Sequence, residues 1–129
     1  MRGRRKTAKI SEAEWNIMKV LWDGCVKSSR GMTLGEIVSN LSDSTGWSDT
    51  TIRTLIIRLA EKGAVSIDKT TGVYKYKPIS SKDDSIRRET ESFVSRVYDG
   101  SYAALIEAIV SSGAVSAEEK EKLIAALKQ

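Results

Sequence analysis

The apolar positions of the chain change period twice. At first they recur at helical spacing. At about 100° per residue, Trp15, Met18, Leu21 and Trp22 fall on one stripe and predict a helix over 11–23, with Gly24 as its stop. Leu34, Ile37, Val38 and Leu41 predict a second, shorter helix over 33–41, followed by the polar turn "SDSTG" at 42–46. Ile52, Leu55, Ile56 and Leu59 form the stripe of a third, over 48–62, ended by Gly63. Ser11 and Glu14, Thr33 and Glu36, and Ser116 and Glu119 have the spacing of a capping box, in which paired side chains satisfy orphan first-turn amides.

Beyond Gly63 the period becomes two. Val65 and Ile67 alternate with smaller or polar neighbours in "AVSID", and Tyr74 and Tyr76 alternate with lysines in "VYKYK". Between them "KTTG", 69–72, supplies a four-residue turn with a glycine, so the pair predicts a β-hairpin, and Pro78 closes its second strand. Helical spacing then returns. Ile86, Thr90, Phe93, Val97 and Tyr98 mark one stripe, broken at Asp99-Gly100. Tyr102, Leu105, Ile106, Ile109 and Val110 mark another, ending at Gly113, and Ser116 caps a last helix with Leu123, Ile124 and Leu127.

The order helix, helix, helix, hairpin is that of a winged helix-turn-helix, with a short strand expected near Gly31 and Met32. The expected fold class is mainly α (α+β): a basic tail at 1–9, a winged-helix domain at 10–80 and a helical region at 81–129. The stripes of that last region have no apparent partner within their own segment, and so small a piece buries too little surface to offset chain entropy. They pack most simply against the same segment of a second chain. Phe93, Val97, Tyr98, Tyr102, Leu105, Ile106, Ile109, Leu123, Ile124 and Leu127 are therefore expected to join two copies in a homodimer.

In a helix-turn-helix the second helix of the pair lies in the major groove with its N-terminal residues at base edges. Here that helix is 48–62, and its outer side is unusual for a merely solvated surface. Thr50, Thr51, Arg53 and Thr54 occupy the early turns, with Ile57 and Arg58 one turn further. Arginine can pair bidentately with guanine, and threonine can donate to a base or touch a thymine methyl. An outward Ile57 could meet methyls or sugars. Lys69, Thr70 and Thr71 sit at the hairpin tip, where a wing would meet phosphates, while Lys75 and Lys77 alternate onto one strand face, as edge lysines that block aggregation also do.

Charge sharpens this picture. Residues 1–80 hold 14 Lys/Arg against 8 Asp/Glu, whereas 81–129 hold 7 against 9, so the basic surplus belongs to the segment with the expected DNA face. The opening "MRGRRKTAK" is basic without the apolar core of a signal peptide, and it reads equally as a solvated tail or a DNA-backbone arm. With no histidine, one cysteine (Cys25) and no Gly-rich phosphate loop, nucleophilic and metal chemistry lack their usual players, so neither an enzyme nor a cofactor or metal is expected. A lone thiol points to a reducing cytosol, and no apolar run approaches the roughly 18 residues of a membrane span.

The segments "ISEAEWNIMKVLW", "WSDTTIRTLIIRLAEKGAV" and "YKYKPIS" resemble the penicillinase and methicillin-resistance repressor family, the BlaI/MecI type, and the likeness continues through "ETESFVSRVYDGS" and "SAEEKEKLIAAL". The resemblance implies a bacterial winged-helix repressor that dimerises through its C-terminal helices and binds a palindromic operator, typically with TACA/TGTA half-sites. It matches Thr51, Arg53 and Thr54 to recognition-helix residues of the family, and Arg58 to an Arg-Leu pair. The chain also departs from the family. Ser48-Asp49-Thr50-Thr51 stands where relatives commonly read Ser-Pro-Lys-Thr, so the resemblance does not carry over an identical operator preference. Ala108 and Ile109 stand where β-lactam-responsive members are cut at Asn-Phe, and the Cys-x-Cys motif of copper-responsive members is absent. The remaining alternative is a winged-helix protein-interaction module without specific DNA binding.

Overall fold

The computed structural model describes residues 9–129; the expected basic tail lies, but for Lys9, outside the described residues. Three helices come first: α1 (Glu12–Lys27), α2 (Leu34–Thr45) and α3 (Asp49–Glu61). Full capping boxes start two of them. The Ser11 hydroxyl accepts from the Glu14 N–H while the Glu14 carboxylate accepts from the Ser11 N–H, and Thr33 and Glu36 do the same for α2. Ser48 caps α3 by accepting from the Thr51 N–H.

Two helix ends differ from expectation. Gly24 does not stop α1, which runs almost a turn further to Lys27. A Cβ at Gly24 would collide with the Met32 sulfur, so this glycine serves close packing instead of chain reversal. The "SDSTG" segment is not a turn except at its last residue. The Ser44 and Thr45 hydroxyls donate back to the Leu41 carbonyl, the helix continues, and Gly46 at φ +73° is its left-handed cap.

Strands β1 (Val65–Asp68) and β2 (Lys75–Pro78) form an antiparallel hairpin, pairing Val65 with Pro78, Ser66 with Lys77, Ile67 with Tyr76 and Asp68 with Lys75. This register turns Val65, Ile67 and Tyr76 to one face and both lysines to the other. The short strand expected near Gly31 and Met32 is an isolated bridge. Met32 N–H donates to the Tyr76 carbonyl at 2.9 Å and Tyr76 N–H to the Met32 carbonyl at 2.8 Å. The connection between strands, however, is residues 69–74 and not the expected four-residue turn. Asp68 accepts from both the N–H and the hydroxyl of Thr70, and the Thr71 hydroxyl donates to the Val73 carbonyl. Side chains thus satisfy the tip, and Tyr74 stands outside the ladder.

Every stripe residue assigned to α3 is buried, and Ile17, Met18, Leu21, Trp22, Met32, Ile37, Leu41, Ala64, Val65 and Tyr76 complete one core with them. Trp15 and Trp22 meet edge to face with centroids 5.6 Å apart, and the Trp22 indole N–H donates to the Ser80 carbonyl. One ion pair fixes the end of α3. The Lys62 ammonium donates to the buried Glu14 carboxylate at 2.6 Å and to the Lys9 carbonyl at 2.7 Å. Lys62→Met is expected to cost about 1–3 kcal/mol in urea unfolding, because the buried Glu14 side chain loses its hydrogen-bonded partner. An unchanged midpoint would mean that water reaches Glu14 in its place.

The chain divides into two compact units, Met1–Asp84 and Ser85–Gln129. The division falls within α4 (Lys82–Val97), which α5 (Tyr102–Ser111) and α6 (Ala117–Leu127) follow. Asp99 at φ +51° and Gly100 at φ +88° make the break expected after α4. Ser116 caps α6 by accepting from Glu119 N–H, without the reciprocal bond of a box. Among the described residues, Val94 is the one buried apolar side chain of the second unit, and α5 and α6 bury none completely. No helix of the described residues is long and apolar enough to cross a membrane.

Candidate nucleic-acid interface

The buried stripe of α3 leaves its opposite side to solvent. Thr50, Thr51, Arg53, Thr54, Ile57 and Arg58 are all exposed and fall within an arc of about 160° at 100° per residue. Ile57, 46% exposed, is an apolar side chain held in water on that arc. Local bonds orient the hydroxyls. Thr54 donates to the Thr50 carbonyl at 2.9 Å, and Ser48 donates to the Thr51 hydroxyl at 3.2 Å. Thr54 therefore presents its methyl and lone pairs outward, an acceptor and apolar surface beside the guanidinium groups.

The wing tip is shaped by the bonds of Asp68. The two hydrogen bonds from Thr70, backbone first, hold its carboxyl below the usual carboxylate range, with Lys77 and Lys75 assisting. The Thr70 and Thr71 hydroxyl protons are thus engaged within the loop, which leaves Lys69 as the tip's charged donor. Its ammonium lies over the Tyr74 ring, 5.3 Å from the centroid. Because the carboxyl is held low, the turn keeps its clasp at and above the ordinary carboxylate range and loses it as pH falls through the depressed value.

Arg53 and the wing converge on a groove of about 380 Å³ whose walls include Thr33, Gly35, Arg53, Val73 and Tyr74. Lys69, Thr70, Thr71, Thr50, Ile57 and Arg58 are not among its lining residues. The sequence pattern marks none of Gly35, Val73 and Tyr74 as a site residue. The alternation of "VYKYK" places Tyr74 inside a strand, where a tyrosine needs no further reason. Glycine in the first turn of an amphipathic helix is the available signal for Gly35, since it is a poorer helix former than alanine.

In the second unit, Phe93, Val97, Tyr102, Ile109, Ile124 and Leu127 are exposed, and Tyr98, Leu105, Ile106 and Leu123 are half-buried. Phe93 and Tyr98 meet edge to face at 5.8 Å. Cys25 is half-buried, and burial pushes its thiol up against a smaller opposing effect of Lys77, which disfavours the reactive thiolate. The described residues hold no group of three or more His, Cys, Asp or Glu placed to bind a metal ion.

Residues 10–129 match the sequence family described as Penicillinase repressor. The penicillinase repressor of Bacillus licheniformis is 30% identical over 125 residues, spanning 97% of this chain and 94% of that protein. The methicillin resistance regulatory protein MecI of Staphylococcus aureus is 30% identical over 118 residues, 92% of each chain. Among solved structures, the monomeric form of Bacillus licheniformis BlaI, in complex with the blaP half-operator, superposes with a TM-score of 0.50 at 36% identity, over 60% of this chain and 89% of that one. With a family match along nearly its whole length and relatives that share its span, the chain belongs to the penicillinase repressor family.

Proposed function

We propose that this protein is a DNA-binding transcriptional repressor that acts as a homodimer on a two-fold-related operator. The observation that carries the reading is the exposed arc of α3, where hydroxyl, guanidinium and methyl groups stand together behind a fully buried stripe. Such a helix can enter a major groove with Thr50, Thr51, Arg53 and Thr54 at base edges and Ile57 and Arg58 a turn deeper. Lys69 at the wing tip then meets backbone phosphate, with Thr70 and Thr71 packing beside it. BlaI, which shares the family, is bound to a half-operator in its own structure. The family is one of repressors and not of enzymes.

The apolar stripes of α4, α5 and α6 serve as the surface that joins two copies, so that two α3 helices address successive grooves. Release by cleavage at an Asn-Phe bond is not supported, since Ala108 and Ile109 stand where the resemblance places that bond.

Selection of bound sequences from random duplexes at controlled salt tests this reading, giving half-site, spacing and salt slope together. Arg53→Ala is expected to weaken binding to the selected duplex by about 1–3 kcal/mol, roughly 5- to 150-fold, with a smaller loss on mixed-sequence DNA. Equal losses on the two duplexes would assign Arg53 to the backbone. A chain that shows no preference among duplexes even at low ionic strength would sink the proposal and leave the protein-interaction reading.

A further inference from the structure

The groove between α2, Arg53 and the wing has a composition that its packing does not explain. Gly35 lies on its wall, and its φ is not positive, so nothing in the backbone requires glycine there. A Cβ at Gly35 would meet only the Thr33 hydroxyl, at 3.9 Å, so close packing does not require it either. Gly24 and Gly31 differ in this respect. The first makes room for Met32, and the second, at φ +93°, has the Tyr76 carbonyl 2.9 Å from where its Cβ would be. Neither the backbone conformation nor the packing of α2 calls for glycine at this position. Val73 and Tyr74, both exposed, line the same groove, as does Arg53, and the Lys69 ammonium lies over the Tyr74 ring. No carboxylate lines the groove.

We infer that this groove seats a sugar-phosphate segment of the bound duplex, with Gly35 left bare so that the strand can approach the α2 backbone and the Tyr74 ring packed against the sugar. The inference rests on the DNA-binding reading above and extends it to two residues outside α3 and the wing tip. The occupant follows from charge and position. The one charged residue that lines the groove is a cation, Arg53, with no carboxylate beside it, which fits an anionic backbone, and the exposed Tyr74 ring offers a flat apolar surface to a deoxyribose. Because sugars and phosphates are the same at every step, these contacts fix where the duplex lies without reading its sequence.

The test uses the full chain and two probes, a duplex recovered by selection from a random pool and a mixed-sequence duplex of equal length. Gly35→Ala is expected to keep or raise the melting temperature while lowering affinity for both duplexes by a similar factor, about tenfold. Tyr74→Ala is expected to weaken both in the same way, and Tyr74→Phe, which keeps the ring, to retain binding. The gain in helix propensity alongside lost affinity is a combination that a merely structural glycine does not give. Unchanged affinity in Gly35→Ala and Tyr74→Ala overturns the inference, as does a loss confined to the selected duplex, which would mean base reading. Should the unmodified chain bind neither probe, the DNA-binding reading itself fails, an outcome visible before any variant is made.

Discussion

Ile52→Ala is expected to lower the unfolding free energy by about 2–5 kcal/mol, while Arg53→Ala, one residue along the same helix, leaves it within about 0.5 kcal/mol of the parent. The contrast follows from which way each side chain points. Ile52 is 0% exposed and sits among the stripe residues of α3 and the apolar faces of α1 and α2. Its truncation removes several buried methyl and methylene groups and leaves a cavity that the clamped helix ends cannot easily close. Ser48 holds one end of α3, and the Lys62–Glu14 pair fastens the other. Small domains have only about 5–15 kcal/mol in total, so a loss of this size takes a large share of the fold. Urea unfolding followed by tryptophan fluorescence measures it, since Trp15, Trp22 and Trp47 all pack on this core. DNA binding should fall in Ile52→Ala only as far as the unfolded fraction rises, whereas in Arg53→Ala it falls with the fold intact. A midpoint in Ile52→Ala equal to that of the parent would mean that neighbouring side chains refill the site.

The same division between inward and outward residues explains how much the sequence revealed. The period of 3.6 placed Ile52, Leu55, Ile56 and Leu59 inside and left the α3 surface outside, and the burial follows that assignment residue for residue. Periodicity works here because one stripe against one core admits a single rotation of the helix. The hairpin was legible for a similar reason, since its inward residues Val65, Ile67 and Tyr76 alternate with polar ones. What escaped was governed by contacts between residues distant in sequence or by side chains bonding to their own backbone. Gly24 reads as a stop until Met32 is seen against it, eight positions away, and a glycine that makes room is indistinguishable in sequence from one that turns the chain. Residues 42–45 read as a turn because serine, aspartate and threonine compete with helical bonding. Here the hydroxyls of Ser44 and Thr45 bond back to Leu41 and extend the helix instead. At the wing tip, Asp68 and Thr71 close a longer loop than the glycine alone predicts, and that length carries Tyr74 out of the strand to the groove beside Arg53. The parts of the candidate interface on α3 were therefore readable from one helix, while the part that unites three elements was not.

Removing the second unit is expected to separate recognition from affinity. The fragment 1–84 keeps every residue of the buried core and the Trp22–Ser80 bond, so it should unfold cooperatively by itself. Residues beyond it contribute one buried apolar side chain, Val94, while leaving large ones such as Leu127 at 67% exposure. A unit that exposes its stripes has its stabilising burial still to make, and a second copy supplies a surface of matching chemistry. When two copies are joined, the second half-site is met at an effective concentration in the millimolar range, which raises avidity about 10²- to 10⁴-fold without any new protein–DNA contact. Fragment 1–84 should accordingly sediment as a monomer, bind a single half-site as well as the full chain does, and lose that same factor on a duplex carrying both half-sites. Two results would overturn this expectation in different ways. A fragment that sediments as a stable dimer would move the interface into the first unit, and a full chain that stays monomeric on the two-half-site duplex would leave the stripes of α4, α5 and α6 to some other partner. If both expectations hold, a double substitution of Ile124 and Leu127 to aspartate in the full chain should reproduce the fragment's affinities. Like charges brought together across the interface oppose pairing while α3 and its core stay intact.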